Sequence, residues 1–87
     1  MREDSLLSFP CEFPVKVMGL NTDTFENEIF MIANRHVDNL SESCIKSRTS
    51  GSAKYLSVTV TFTARSREQL DNLYLAFNNH PDVKMVL

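Results

Sequence analysis

Apolar and polar residues alternate in two stretches of the 87-residue chain and recur at helical spacing in two others, and their order predicts the fold. Phe13, Val15 and Val17 alternate with Pro14, Lys16 and Met18, the period of a strand with one buried face. Pro10 and Pro14 cannot donate to a ladder, so the strand is expected to start near residue 13 or 14, and Gly19 to end it. Asn21, Thr22 and Asp23 follow as turn and cap residues, with Asp23 and Glu26 spaced as a capping box. Phe25, Ile29, Ile32, Ala33, His36, Val37 and Leu40 then form a stripe about four helical turns long, leaving Glu28, Asn34, Arg35 and Asp38 for solvent. Residues 43–49 make a weak strand in which Ile45 is the sole large aliphatic, suited to a sheet edge. Beyond the turn-forming Thr49-Ser50-Gly51-Ser52, the residues Leu56, Val58, Val60, Phe62 and Ala64 alternate with Tyr55, Ser57, Thr59, Thr61 and Thr63, the pattern of a central strand. Ser66 and Gln69 are spaced as a second capping box, and Leu70, Leu73, Tyr74 and Phe77 form the stripe of a second helix. Asn78, Asn79 and Pro81 close it, an Asn supplying a left-handed end, and residues 83–87 form a last short strand.

The order is βαββαβ. Two right-handed crossovers among four strands give an antiparallel sheet ordered 4-1-3-2 with both helices on one face, the ferredoxin-like α+β sandwich. The weak second strand and the short fourth strand are then its edges.

Composition narrows the class of protein. A chain of 87 residues holds one thin core and one domain, residues 1–87, of which 1–8 are polar enough to be flexible. With 43% hydrophobic and 23% charged residues it has the balance of a globular domain. No apolar run approaches the roughly 20 residues that span a bilayer, and the opening MREDSLLSF lacks the basic region and long apolar stretch of a signal peptide, so the expected location is the cytoplasm and no membrane partner is expected. Cys11 and Cys44 are too few for a disulfide framework and lack zinc-site spacing. The net charge of −2 exerts no global pull on nucleic acid, but its distribution is uneven. Residues 1–42 hold three basic and eight acidic side chains, whereas 43–67 hold five basic ones (Lys46, Arg48, Lys54, Arg65, Arg67) and no acidic one. One segment of a mildly acidic chain is locally positive.

Many functions share this fold, and each needs its own residues. A heavy-metal carrier needs a CxxC pair in the first loop, where this chain has Gly19-Leu20-Asn21-Thr22. His36 and His80 are far apart in sequence and read as structural or surface residues, so no metal site is assigned. An RNA-recognition domain needs stacking aromatics on the open face of the first and third strands, where Lys16, Met18, Ser57, Thr59 and Thr61 stand. Nucleic acid is therefore disfavoured as a partner. An acylphosphatase-like hydrolase needs an Arg in the first loop, and neither a Ser/His/Asp arrangement nor a Gly-rich phosphate loop is present. No catalytic residue and no cofactor is assigned. Cys11 lies on an entry turn beside Glu12, whose charge disfavours a thiolate, so a plain packing or surface thiol is expected over a redox-sensitive one. The cations Lys46, Arg48, Lys54 and Arg65 can either meet an anionic ligand or acidic partner or guard an edge strand against sheet-to-sheet association.

Residues 9–19 read FPCEFPVKVMG; with the closing Met85-Val86-Leu87 and the Ser50-Gly51 turn, this segment resembles the YbeD-like family of small bacterial proteins, the likeness running from Phe9 to Leu87. The resemblance implies an ACT-like domain and an association with lipoate-related regulation. ACT domains are regulatory βαββαβ modules whose small-molecule ligands meet backbone amides in the first βα loop, and Gly19, Leu20, Asn21 and Thr22 occupy that place here. The expected function is that of a non-enzymatic regulatory or protein-interaction domain, monomeric or homodimeric, with a protein partner or a small-molecule effector. The alternative is an anion- or nucleic-acid-binding module acting through the basic hairpin.

Overall fold

The structure, a computed structural model, describes residues 8–87. In chain order its elements are β1 (Cys11–Leu20), α1 (Phe25–His36), β2 (Ile45–Thr49), β3 (Tyr55–Ala64), α2 (Arg67–Asn78) and β4 (Val83–Val86), with a short 3-10 turn at Glu42–Cys44 before β2. The sheet order is β2-β3-β1-β4 and every neighbouring pair is antiparallel, as the pattern predicts. The expected flexibility of residues 1–8 falls, Ser8 apart, outside the described residues.

The core lies between the sheet and the two helices. Val15, Val17, Leu56, Val58, Val60 and Phe62 project from one sheet face onto Phe25, Ile29 and Ala33 of α1 and Leu70, Leu73 and Phe77 of α2, all of them buried. Strand alternation and the three-to-four spacing of the helices converge on this single layer, so apolar burial, at roughly 25 cal/mol per Å² removed from water, is concentrated there.

Several boundaries differ from the pattern's expectation. β1 begins at Cys11 rather than at residue 13 or 14, and Pro14 lies inside it opposite Thr61. Even-numbered β1 residues turn their amides toward β4: Lys16 N–H donates to Leu87 O at 3.1 Å and Leu20 N–H to Asp82 O at 3.0 Å. Pro14 is the next position along, beyond the pairing with Leu87, so its missing N–H costs no ladder bond. The expected Asp23/Glu26 box does not form. Thr24 is the N-cap with no side-chain bond to the backbone; its hydroxyl donates instead to Glu28 Oε2 at 2.9 Å.

α1 ends at His36, a turn sooner than the stripe suggests, because Val37 is extended and Asn39 adopts a left-handed φ of 62°. Val37 still enters the core and Leu40 packs against it, which is why both kept the helical spacing. The Asn expected in the left-handed region after α2 is not there: Asn79 has a φ of −78°. At the β2–β3 turn the left-handed residue is Ala53, with φ 61°, and not Gly51.

The α2 box forms in a shifted version. Ser66 Oγ accepts from Gln69 N–H at 3.1 Å, while the Gln69 side chain accepts from Arg65 N–H at 2.7 Å and donates to His36 O at 2.7 Å. One glutamine thus caps α2 and ties it to the end of α1. At the other sheet edge Met18 faces Met85 and Gly19 faces Val83, so Lys84 is the extra residue of a β-bulge.

Candidate functional site

The first βα loop was expected to offer backbone amides to a ligand. In the structure Leu20 N–H donates to Asp82 O, Asn21 N–H to Lys54 O at 3.1 Å and Thr22 N–H to Leu20 O at 3.0 Å, and Asn21 Nδ2 donates to Ala53 O at 2.9 Å. The loop thereby clasps the tip of the β2–β3 hairpin. Gly19 is fully packed: a Cβ there would stand 2.5 Å from Asp82 O and 2.7 Å from Cε1 of Phe25. Its lack of a side chain serves the contact between β1, α1 and the entry to β4. Any effector at Gly19, Leu20, Asn21 and Thr22 therefore has to meet side chains, or displace bonds already made.

Register sorts the four hairpin cations differently from their order in sequence. The sheet face away from the helices is covered by no described element. Two rows cross the sheet on it: Lys46, Thr59, Lys16 and Leu87, the last bonded to Lys16 just past the end of β4, then Arg48, Ser57, Met18 and Met85. Lys46 and Arg48 therefore share this face with Lys16 from β1, a residue the sequence left outside the basic cluster. Lys54 lies at the hairpin tip, its Nζ 5.8 Å from the centre of the Tyr55 ring. Arg65 is elsewhere, with Nη2 bonded to Asp38 Oδ2 at 2.5 Å beside the end of α1. A hollow of about 380 Å³ indents the open face between Lys16, Met18, Arg48, Tyr55 and Ser57. Ser57 Oγ is buried at its edge and has no hydrogen-bond partner.

A cluster that spacing alone could not reveal joins Glu28, His80 and Asp82. Asp82 N–H donates to His80 Nδ1 at 3.0 Å, so the ring proton sits on Nε2, which donates to Glu28 Oε1 at 2.6 Å. The ring edge also meets Phe25, centroids 5.7 Å apart at 88°. The three side chains offer ligand atoms within 4.8 Å of one another, yet each imidazole nitrogen is already engaged, so a cation ligated by the ring would have to displace one of these bonds. The arrangement is a clasp between α1 and the α2–β4 connection. Hydrogen bonds from His80 and Thr24 hold the Glu28 carboxyl below its ordinary range.

Of the two thiols, Cys11 is half-buried against the core. Cys44 ends the 3-10 turn, and hydrogen bonds from the Ser41 backbone and hydroxyl pull its pKa down. It borders a second hollow, of about 400 Å³, lined in part by Glu12, Asp38, Thr63 and Arg65.

A sheet in this order beneath two helices is the ferredoxin-like α+β fold in its ACT-like form. The ACT domain from the GTP pyrophosphokinase of Chlorobium tepidum matches with a TM-score of 0.70 at 13% identity, over 90% of this chain and 96% of that one. Protein HP0495 of Helicobacter pylori, in solution, matches with a TM-score of 0.71 at 17% identity, over 93% and 85%. At these identities the likeness concerns the fold. Kinship comes from sequence: the family model described as "Protein of unknown function (DUF493)" matches residues 4–87. A UPF0250 protein of Janthinobacterium is 49% identical over 97% of this chain and 92% of its own length, and one of Chromobacterium violaceum is 44% identical over 98% and 96%. The chain belongs to this DUF493/UPF0250 family, the YbeD-like group its N-terminal segment resembles.

Proposed function

We propose that the domain is a non-enzymatic regulatory module of the cytoplasm that binds a protein partner or small-molecule effector on the sheet face that no described element covers. The observation that carries this reading is the pair of rows across the sheet, which brings Lys16, Lys46 and Arg48 beside Met18, Met85 and Leu87. Cations and exposed apolar groups on one sheet face suit recognition better than solubility alone. Support of a general kind comes from the ACT-like fold, which serves as a regulatory module in other proteins. The ACT-like mode of capture in the first loop is the weaker variant, since the Leu20, Asn21 and Thr22 amides are already bonded.

The test is a thermal-shift screen of metabolites, lipoate and amino acids among them, alongside affinity capture from native extract with identification of what is retained. A ligand at 100 times its dissociation constant adds about 2.7 kcal/mol, which raises Tm by roughly 10 °C or more in a domain of this size. Binding should disappear in a Lys16→Glu/Arg48→Glu variant that keeps the native fold. Absence of any stabiliser and any retained partner, or binding indifferent to that variant, would sink the proposal. A second reading, anion binding by the same cations, predicts retention on a single-stranded oligonucleotide that falls steeply with salt.

A further inference from the structure

The open face is divided lengthwise, and its two halves differ in chemistry. On the β2 side stand Lys46 and Arg48, both exposed; on the β1–β4 side stand Met18, Met85 and Leu87, the last two 48% and 61% exposed. Lys16 lies between the halves, opposite both Thr59 of β3 and Leu87. The acidic groups lie mostly elsewhere. Among the described residues, Glu26 and Glu28 are on α1, Glu68 and Asp71 on α2, and Glu12 alone joins the sheet face, beyond both rows and opposite Thr63.

This division selects among occupants. Two copies meeting face to face with β2 over β2 would oppose the cations with one another, a like-charge contact of the kind that suppresses association, and with β2 over β4 would set Lys46 and Arg48 on Met85 and Leu87 with no carboxylate to pair them. A nucleic-acid strand would want stacking rings where the face offers methionines and one tyrosine, Tyr55. A segment with an apolar stripe and an acidic flank satisfies both halves together. Dimensions point to a helix: four strands about 4.8 Å apart leave roughly 14 Å between the outer strand axes, enough for one helix of about 10–12 Å diameter. Lys46 and Arg48, two residues apart on β2, are spaced by about 6.8 Å, while carboxylates at i and i+4 on a helix are spaced by about 6 Å along its axis. Methionines suit such a surface because their unbranched side chains repack around different apolar ridges.

We infer that the open sheet face is a docking site for an acidic amphipathic helix of a partner protein, its apolar stripe over Met18, Met85 and Leu87 and its carboxylates on Lys16, Lys46 and Arg48. The inference rests on the proposed function and specifies the occupant.

The experiment uses the full chain, isotopically labelled, and three 16-residue peptides. One carries Leu on a single face with Glu at i and i+4 along the flank, the second is a scramble of it, and the third has Lys in place of Glu. The first peptide should bind at least tenfold more tightly than either of the others. Its amide shifts should cluster at Lys16, Met18, Lys46, Arg48, Ser57 and Met85, and its affinity should fall several-fold between low and high salt. Lys16→Glu/Arg48→Glu should weaken it at least tenfold and Met85→Ser several-fold, with the remaining amide spectrum native in each. Equal binding of the scramble, shifts confined to the helix layer, or tighter binding of phosphatidylglycerol vesicles or a single-stranded oligonucleotide than of the acidic peptide would overturn the inference. So would concentration-dependent self-association in light scattering that the same substitutions abolish. If the peptide fails while another ligand is lost on Lys16→Glu/Arg48→Glu, this inference falls and the proposed function stands. If every binding activity survives that variant, both fall.

Discussion

Gly19→Ala is a one-carbon change that decides what the first loop is for. The new methyl would press on Cε1 and Cζ of Phe25 and on the Asp82 carbonyl oxygen, at separations no Cβ tolerates. Phe25 has nowhere to retreat: it is fully buried, and His80 meets it edge-on while held in turn by Glu28 and Asp82. The alternative outlet is to move Asp82, which breaks the bond from Leu20 N–H to its carbonyl. Overpacking costs about 1–3 kcal/mol and a lost backbone bond about 1 kcal/mol, so the expected destabilisation is about 2–4 kcal/mol. A domain of this length has roughly 4–13 kcal/mol in total, so the loss is a large share.

Urea titration followed by circular dichroism checks this, with the midpoint falling at unchanged slope and Tm dropping by roughly 10–25 °C. Gly51→Ala is the control, since nothing lies within 4 Å of its Cβ position and its φ is not positive; there the smaller unfolded-state entropy should raise stability by about 0.4–1 kcal/mol. A double-mutant cycle with Phe25→Leu, which removes Cε1 and Cζ, should recover at least about 1 kcal/mol of the Gly19→Ala loss. If Gly19→Ala unfolds at the same urea concentration as the native chain, the packing explanation is refuted and close approach of a ligand becomes the better account of the glycine.

The remaining predictions concern the contacts that position these elements. Gln69→Ala removes the acceptor for Arg65 N–H and the donor to His36 O and should cost about 1–2 kcal/mol by chemical denaturation. Ala53→Gly relieves a left-handed alanine, worth about 1–2 kcal/mol, against a glycine entropy cost of about 0.5–1 kcal/mol, so the melting temperature should rise by a few degrees. Glu28 has its folded pKa depressed, so its contribution is complete above the unfolded value near 4.3 and is lost as pH falls through the lower folded value. Stability of the native chain should accordingly fall more than that of Glu28→Gln between about pH 5 and pH 3, and equal slopes would count against the clasp. Arg65→Ala should change stability by no more than about 1 kcal/mol, because its ion pair with Asp38 is exposed, and should leave binding on the open face unaltered.

Sequence pattern alone conveys the element order, the sheet order and the core, because alternation at Val15 and Val17 or at Val58, Val60 and Phe62 leaves one possible buried face. It is less informative where a residue keeps its periodicity while the backbone changes. Val37 and Leu40 continue the α1 stripe and do reach the core, but they do so from an extended segment and a left-handed turn. Pro14 misleads in the opposite direction. Its missing amide is harmful only where a neighbour waits for it, and whether one waits depends on how far β4 extends along β1.

The proposed binding surface suffers most from this dependence on register, and the basic segment makes the reason plain. Lys46, Arg48, Lys54 and Arg65 are one cluster along the chain, but a residue's neighbours across a sheet are set by pairing and not by sequence distance. Pairing of Lys16 and Lys46 with Thr59 from either side puts Lys16 in the cluster, and the end of β3 carries Arg65 out of it to Asp38. The same pairing sets Met85 against Met18 and so gives the charged face an apolar border that no local stretch contains. Lys16 is the informative residue for this reason. It belongs to β1, which pairs with both β3 and β4, so a charge change there touches the cationic and apolar halves together, whereas a change at Lys46 touches one. Lys16→Glu alone should therefore weaken binding to the open face more than Lys46→Glu alone, and the reverse order in a titration of the single variants would place the contact on the hairpin and not on the sheet.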